Sequence, residues 1–399
     1  MKRSKNPYLL LTAAVAALVL LALVLLGVLL HARRAQPEPS AEASAAPAAE
    51  THYAPPTADV SGVTALSFEK LSSTSLRLTW TADAPDARCR VMRRAASGGD
   101  WEARAELDAG TGAYTDTLDS AAPQQYLYRV DLVPDSGGDA VRGAAIPASN
   151  ISVCIDPGHY LNSTVLTGED MYGYGEGLFM LRLGLELRAV LLRDYGITAV
   201  MTRETDDITL GGWSNGELDS QHLTLRGTFA EGHDLFISLH TNANLNDANG
   251  YPTCNQPVGI NKTLVFVNRP ALASDTAMAQ ANAIGSRVTA VNAALGLTTT
   301  GDAFTAGKRD ALITWSDAFN DSLDTPGTVC YRDGETHQDY YGVLRGAASV
   351  NVQGFIVEHG FHTVAEVRRA AMEGDLAQRW AEADAAGIAE GYGFVIPQN

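Results

Sequence analysis

Three short apolar segments of this chain each end on a residue that can bind a metal ion or transfer a proton. They are residues 152–159, which end on His159, residues 234–240, which end on His240, and residues 354–358, which end on Glu358. Apolar runs of this length are typical of the buried strands of a parallel sheet. Because such folds bind ligands at the carboxyl ends of their strands, we expect the three residues at one edge of a sheet.

Helical periodicity alternates with strand patterns from residue 150 onward. Residues 176–195 carry an amphipathic apolar stripe and stop at Gly196, a typical signal for the end of a helix. Further strands are predicted at residues 197–201 and 263–267, and further helices at 277–295 and 364–389. This alternation predicts an α/β domain over residues 150–399, with a mostly parallel sheet flanked by helices.

The start of the chain has the composition of a membrane anchor followed by a spacer. Residues 8–30 form an uncharged segment. This segment is longer than the apolar core of most signal peptides and long enough to cross a bilayer. We expect residues 1–34 to form a cytoplasmic tail and a single transmembrane anchor, with a cleaved signal peptide as the alternative. Residues 35–58 are rich in Pro, Ala, Glu and Ser and are predicted to be a disordered linker.

Residues 59–148 show the period-two alternation of an all-β sandwich, with glycine-rich turn signals between short runs. Trp80 ends one alternating run, and Tyr126 lies in another. With these two residues the segment resembles a fibronectin type III module, in which they would be the core tryptophan and the corner tyrosine. The resemblance implies a binding or spacing role, and a structural spacer is the simpler interpretation.

Charge and cysteine content argue against two classes of protein. The formal net charge is −17, and after residue 150 the chain has 15 Lys and Arg residues against 30 Asp and Glu residues. Nucleic-acid binding requires basic patches, so we expect no nucleic-acid partner. Four cysteines do not make a disulfide scaffold; Cys154 is interpreted as a core residue, and a bond between Cys254 and Cys330 stays open.

Five blocks carry a family resemblance across the C-terminal domain. They are Asp156-Pro157-Gly158-His159, Glu176 at the start of a helix, Met201–Arg203, Leu235–Asn242 and Val357–Phe361. In order and spacing they resemble the zinc-dependent N-acetylmuramoyl-L-alanine amidases of the type-three class, and five ordered blocks are more specific than any one alone. The resemblance implies that His159, Glu176 and His240 bind Zn²⁺ and that Glu358 is the catalytic acid/base.

The chemistry of these residue types is consistent with that implication. Catalytic zinc commonly has three protein ligands of the His, His, Glu kind, with a water molecule whose pKa falls to about 7. Glu358 would accept a proton from this water and return it to the departing amine. Glu169 competes with Glu176 as the third ligand, and the helix context favours Glu176. His359 alternates to the other side of its strand and is expected to be structural.

Some positions depart from the family pattern or lack a clear role. Tyr160, Gly177 and Val364 stand where the family commonly has glycine, lysine and asparagine, and they affect the expected detail of substrate binding. Arg203 and Arg226 match arginines of the family, but pairing with nearby acids such as Asp206 is the simpler interpretation.

The expected function is hydrolysis of the amide bond between N-acetylmuramic acid and L-alanine in peptidoglycan, on the cell-wall side of the membrane. One alternative is a catalytically silent wall-binding protein. Another is a zinc carboxypeptidase that acts on the stem peptide. The sequence does not indicate an oligomeric state.

Overall fold

The computed structural model describes residues 62–160, 166, 170–208, 210–243, 261–297, 304–308, 313–314, 326–334 and 338–398. The predicted anchor and linker, residues 1–58, lie outside these ranges. Within them, no helix combines the length and the apolar character needed to cross a bilayer.

The N-terminal described region consists of two antiparallel sheets that share one hydrophobic core. One sheet contains β1 (Val63–Ser72), β2 (Ser75–Ala82) and β5 (Ala113–Thr117), and the other contains β3 (Ala87–Ala95), β4 (Glu102–Asp108), β6 (Gln125–Pro134) and β7 (Ile146–Ser149). Leu76, Leu78 and Trp80 alternate along β2 and pack with Tyr128 and Val130 of the opposite sheet. The period-two pattern of the sequence therefore corresponds to inward-facing positions.

Polar side chains join this sandwich to the rest of the chain. The amide of Asn150 donates to the carbonyl oxygens of Ser73, at 2.7 Å, and Ala122, at 2.8 Å. Lys70 forms an ion pair of 2.5 Å with Asp234, and its ammonium is largely buried. Since Asp234 directly precedes a central strand of the second region, the sandwich is attached close to the sheet that carries the predicted site.

The second region is a mixed α/β domain built on one large, mostly parallel sheet. Its strands are β8 (Ser152–Pro157), β9 (Thr198–Met201), β10 (Leu235–Asn242), β11 (Leu264–Val267), β12 (Phe304–Thr305), β13 (Ile313–Thr314), β14 (Gly327–Tyr331) and β15 (Gln353–Phe361). Their order is β12-β14-β11-β15-β10-β8-β9, and β13 pairs with β14. Among these pairs only β11 and β15 are antiparallel. The strands β8, β10 and β15 are neighbours that run in the same direction, so their carboxyl ends meet at one edge.

Helices cover both faces of this sheet. They are α1 (Glu176–Tyr195), α2 (Asn215–Leu218), α3 (Leu223–Thr228), α4 (Arg269–Leu272), α5 (Asp275–Ala294), α6 (Gly342–Ser349), α7 (Ala365–Glu373) and α8 (Leu376–Tyr392). Residues of α1, α5 and α8 form the large core with one face, and residues of α6 pack on the other. The predicted helix over 176–195 is confirmed with the same bounds, and Gly196 ends it in the left-handed conformation, with φ of 64°.

The cysteines of the described residues are buried thiols. Cys89, Cys154 and Cys330 are free, and Cys154 belongs to the core beside α6, as its apolar strand predicts. Cys254 lies outside the described residues. Within the part of the chain that the structure describes, no disulfide therefore helps to position the site.

Candidate metal centre

His159, Glu176 and His240 lie together at the carboxyl edge of the sheet. His159 follows β8, Glu176 begins α1, and His240 lies near the end of β10. His159 Nε2 is 3.4 Å from one carboxylate oxygen of Glu176, and His240 Nδ1 is 3.3 Å from the other. One ligand atom from each residue can be chosen so that all lie within 4.8 Å of one another. The structure thus brings all three predicted ligands to one point.

This donor set fits zinc. Two imidazoles and one carboxylate are the ligands of many catalytic zinc sites, which leave a fourth position open. The edge-to-face arrangement of the histidine rings, with centroids 5.0 Å apart and planes at 81°, lets both rings point a nitrogen at the same carboxylate. His159 and His240 are partly exposed, whereas Glu176 is buried. A small ion and a water molecule could therefore reach the centre from the solvent side.

The turn that presents His159 depends on Gly158. A Cβ atom at position 158 would lie 2.5 Å from both the His240 ring and the carbonyl oxygen of Leu239, closer than real contacts allow. His159 itself has a positive φ of 59°, in the left-handed region that most residues avoid. The backbone after β8 therefore turns sharply against β10, which brings the two histidines together.

Gly177 and Tyr160, two of the departures from the family pattern, contact each other. A Cβ atom at position 177 would lie 2.0 Å from the carbonyl oxygen of Tyr160. The absence of a side chain at Gly177 lets the backbone of Tyr160 lie directly against the first turn of α1. The two departures are therefore compatible with each other, because the Tyr160 backbone occupies the space that a longer side chain at position 177 would need.

The carboxylate of Glu176 is strongly stabilised in its charged form. Burial alone would raise its pKa, but the charge of His159 and hydrogen bonds from His159 and His240 hold the pKa well below the usual range. The backbone N–H of Thr241 also donates to Glu176 at 3.0 Å. Its place in the first turn of α1 adds the favourable end of the helix dipole. Glu176 is consequently a negatively charged candidate metal ligand at neutral pH.

The two histidines differ electrostatically. Burial would lower the pKa of His159, but the carboxylates of Glu176 and Asp219 outweigh it and raise the pKa to about 10. For His240 burial prevails, and its pKa lies below the ordinary value despite the hydrogen bond to Glu176. The difference arises because His159 contacts two carboxylates, whereas His240 contacts one and also feels the positive charges of His159 and Arg226.

Glu358 lies beside this centre on β15, in register with His240 of β10. Burial, and secondarily the charge of Glu176, raise the pKa of Glu358 to about 8. Its buried Oε2 atom has no hydrogen-bond partner within the described part of the chain. An acid with a pKa near neutrality and a free oxygen atom can both accept and return a proton.

Sequence reasoning missed several residues that contact the centre. Asp219 accepts from His159 Nδ1 at 3.1 Å, and Ser238 lies 3.1 Å from His240 Nε2. His362 stacks on Tyr174 and lies 4.0 Å from Glu176. Ser238 shares a strand face with His240, so period-two alternation could have identified it. Asp219 has no comparable signal, because the segment around it shows no regular pattern.

Arg226 pairs with carboxylates, as expected, whereas the contacts of Arg203 differ from the expectation. Arg226 binds Asp156 and Asp219, both at the site, rather than Asp206. Arg203 donates to backbone carbonyl oxygens instead of a carboxylate, at Pro157 and Gly158 before the first histidine and at Gly177 in α1. The arginines therefore connect the segments that carry the candidate ligands.

His359 faces away from the centre, as its alternation with Glu358 predicts. It is fully buried, donates from Nδ1 to the carbonyl oxygen of His240 at 3.1 Å, and contacts Asp384 through Nε2 at 2.8 Å. Its ring stacks on Trp380 of α8. His359 thus connects β10 to α8. Glu169, the competing ligand, lies outside the described residues.

Comparison with known proteins gives one family match. The family described as N-acetylmuramoyl-L-alanine amidase matches residues 153–390. No curated protein is similar enough to match the chain.

Similar solved structures cover about 60% of this chain. Cwp6 from Clostridium difficile is 20% identical over 60% of this chain, which spans only 29% of Cwp6, with a TM-score of 0.39. The amidase AmiC2 of Nostoc punctiforme is 21% identical, with 61% of this chain and 97% of that chain covered and a TM-score of 0.38. The catalytic domain of the amidase CwlV from Bacillus (Paenibacillus) polymyxa var. colistinus is 19% identical, with coverage of 60% and 97% and a TM-score of 0.38.

Proposed function

This chain belongs to the N-acetylmuramoyl-L-alanine amidase family, and on that premise we propose that it is a zinc-dependent peptidoglycan hydrolase. It cleaves the amide bond between the lactyl group of N-acetylmuramic acid and L-alanine. The observation that carries the proposal is the convergence of His159, Glu176 and His240 within 4.8 Å, with Glu358 on the neighbouring strand. This is the donor set of a hydrolytic zinc site together with a proton carrier.

His159, Glu176 and His240 would hold the metal through His159 Nε2, His240 Nδ1 and the Glu176 carboxylate, which are the atoms that face one another. Zinc, when bound there, would supply Lewis-acid polarisation of the scissile carbonyl and lower the pKa of a water molecule to about 7.

Glu358 is the proton carrier of the proposed reaction. As the carboxylate, it takes a proton from the attacking water through its unpaired Oε2 atom while the water oxygen bonds to the amide carbon. As the acid, it passes that proton to the amide nitrogen of L-alanine while the C–N bond breaks, so the amine leaves neutral. The pKa of about 8 suits both steps, because both the carboxylate and the protonated acid are accessible at neutral pH.

The remaining parts of the chain are proposed to place this activity at the cell wall. Residues 8–30 are long and uncharged enough for a single membrane anchor. Residues 35–58 would extend from the membrane, and the fibronectin type III-like sandwich at 59–148 would act as a spacer. The domain over 150–399 would then face peptidoglycan on the extracytoplasmic side.

The purified chain, incubated with peptidoglycan, tests the proposal. Newly freed N-terminal L-alanine is expected, with loss of release in a chelator and recovery on addition of Zn²⁺. Equal release with and without chelator would contradict zinc dependence. Release of a C-terminal amino acid from the stem peptide, without new N-terminal alanine, would identify a carboxypeptidase. Wall binding without any product would identify a silent binding protein.

A further inference from the structure

The buried carboxylate of Asp156 is connected to both candidate metal-binding histidines. We propose that Asp156, Thr202, Asp219, Arg226 and Ser238, here called the Asp156 network, act as positioning residues that set the tautomer and orientation of His159 and His240. The inference rests on the proposed function, because it assigns the network to the same metal centre. Within it, Asp219 and Ser238 are the residues that touch the rings.

Asp156 is the anchor of this network. One of its oxygens accepts from Thr202 Oγ1 at 2.6 Å and Arg226 Nε at 2.9 Å. The other accepts from Ser238 Oγ at 2.7 Å and Arg226 Nη2 at 2.9 Å. The side chains of Asp156 and Arg226 are 0% and 1% exposed. Two buried charges with bidentate geometry and further hydrogen bonds form a rigid unit, because any displacement leaves a charge unpaired.

Ser238 connects Asp156 to His240. A serine hydroxyl has one proton, and the 2.7 Å contact gives that proton to the Asp156 carboxylate, which can only accept. Ser238 Oγ can therefore only accept from His240 Nε2, which lies 3.1 Å away. The proton of a neutral His240 ring is then on Nε2. The lone pair of Nδ1, the nitrogen that faces Glu176 at 3.3 Å, would then be available to a metal ion that replaces the proton shared with Glu176.

Arg226 and Asp219 connect Asp156 to His159. Arg226 Nη1 donates to one oxygen of Asp219 at 3.1 Å, and the other oxygen accepts from His159 Nδ1 at 3.1 Å. An ionised carboxylate only accepts, so a His159 ring that binds the metal through Nε2 keeps its proton on Nδ1, where Asp219 accepts it. The lone pair of Nε2, which lies 3.4 Å from the second oxygen of Glu176, would then be available to a metal ion that replaces the proton shared with Glu176.

The two histidines therefore present different nitrogens, Nε2 from His159 and Nδ1 from His240, and each is the atom opposite its contact with the network. A purely structural ion pair between Asp156 and Arg226 would not require Asp219 or Ser238 to meet the rings. Partners of this kind commonly contribute 10- to 100-fold to metal affinity, because they orient the ring and increase its basicity.

The test measures zinc affinity by competition with a chromophoric chelator in Asp219→Asn and Ser238→Ala. In Asp219→Asn the amide would have one acceptor oxygen for two donors, Arg226 and His159, so both contacts cannot be kept. We expect each variant to bind Zn²⁺ about 10- to 100-fold more weakly. The absorption spectrum of the Co²⁺-loaded chain should also change, since it reports the geometry of the metal ligands. Asp219→Glu, which keeps the carboxylate, should recover part of the affinity.

Asp206→Asn is the matched control, because Asp206 is an exposed acid that follows Arg203 but lies outside the Asp156 network. Its zinc affinity and Co²⁺ spectrum should equal those of the unaltered chain. Unchanged affinity and spectrum in both Asp219→Asn and Ser238→Ala would overturn the inference. Failure of the proposed function is a separate result, since it would show as absence of zinc binding or of alanine release in the unaltered chain.

Discussion

His240 and Glu358 occupy paired positions on the neighbouring parallel strands β10 and β15. Side chains at paired positions of adjacent strands point to the same face of a sheet, and the strands lie about 4.8 Å apart. The candidate proton carrier is therefore held one strand spacing from a candidate metal ligand by backbone hydrogen bonds rather than by a loop. Proton transfer and metal binding are thus assigned to side chains of two different rigid strands, β15 and β10.

Glu358→Gln should remove catalysis while leaving the metal in place. The amide cannot accept a proton, so we expect the rate of alanine release to fall by about 10²- to 10⁴-fold. Zinc content, measured on the purified chain, should stay the same as in the unaltered protein. Glu373→Gln, at an exposed position of α7, is the control and should keep full activity. Comparable activity of Glu358→Gln would exclude Glu358 as the proton carrier.

His240→Ala should lose bound zinc. Removal of one of three protein ligands leaves two, which are too few for a catalytic site of this kind. Metal analysis after dialysis is expected to show a large loss of zinc relative to the unaltered chain. His233→Ala is the matched control, because His233 precedes β10 and contacts Ser152, at the end of the sheet opposite the candidate metal centre. Retention of stoichiometric zinc in His240→Ala would show that His240 is not a ligand.

Gly177→Ala should destabilise the site by steric overlap. The added Cβ would lie 2.0 Å from the carbonyl oxygen of Tyr160, so either the Tyr160 backbone or the start of α1 must move. We expect a loss of about 1–3 kcal/mol in the free energy of unfolding, measured by urea denaturation. Gly216→Ala is the control, since a Cβ there meets no atom within 4 Å. Equal stability of the two variants would contradict the close approach of Tyr160 to α1.

Asp156 should make the stability of the protein depend on acid pH. Burial would raise its pKa, but the charge of Arg226 and hydrogen bonds from Arg226, Thr202 and Ser238 hold the pKa below the ordinary value. Because the folded pKa is lower than the pKa of about 3.9 in the unfolded chain, the stabilisation is full above that value. It is lost as pH falls through the folded pKa. Urea unfolding at several pH values between 7 and 2 measures this loss.

Asp156→Asn provides the comparison for that titration. The variant leaves the buried charge of Arg226 without its main partner, so we expect a loss of about 3–5 kcal/mol at pH 7. Its stability should decline less than that of the unaltered chain below pH 4, because the titrating carboxyl group is absent. Parallel pH profiles for the two proteins would show that Asp156 does not contribute to acid sensitivity.

Local sequence patterns were sufficient for the elements that carry the candidate site. The helix over 176–195 was predicted with its bounds because its apolar stripe and Gly196 are both local signals. The strands that end near His159, His240 and Glu358 were predicted because they are buried on both faces and thus continuously apolar. The reversed direction of β11, which β12, β13 and β14 share, was not predicted, since an apolar run has the same pattern in either direction.

The sequence by itself determined which residue types end the central strands and begin the first helix, because burial and helix formation impose periodicities that extend over neighbouring positions. Only the tertiary structure decided which side chains orient the two histidines. His159 and Asp219 are 60 residues apart, and Asp156 and Arg226 are 70 apart. Hydrogen bonds over such separations depend on the path of the intervening chain, and a single contact between two polar side chains leaves no periodic trace in the sequence.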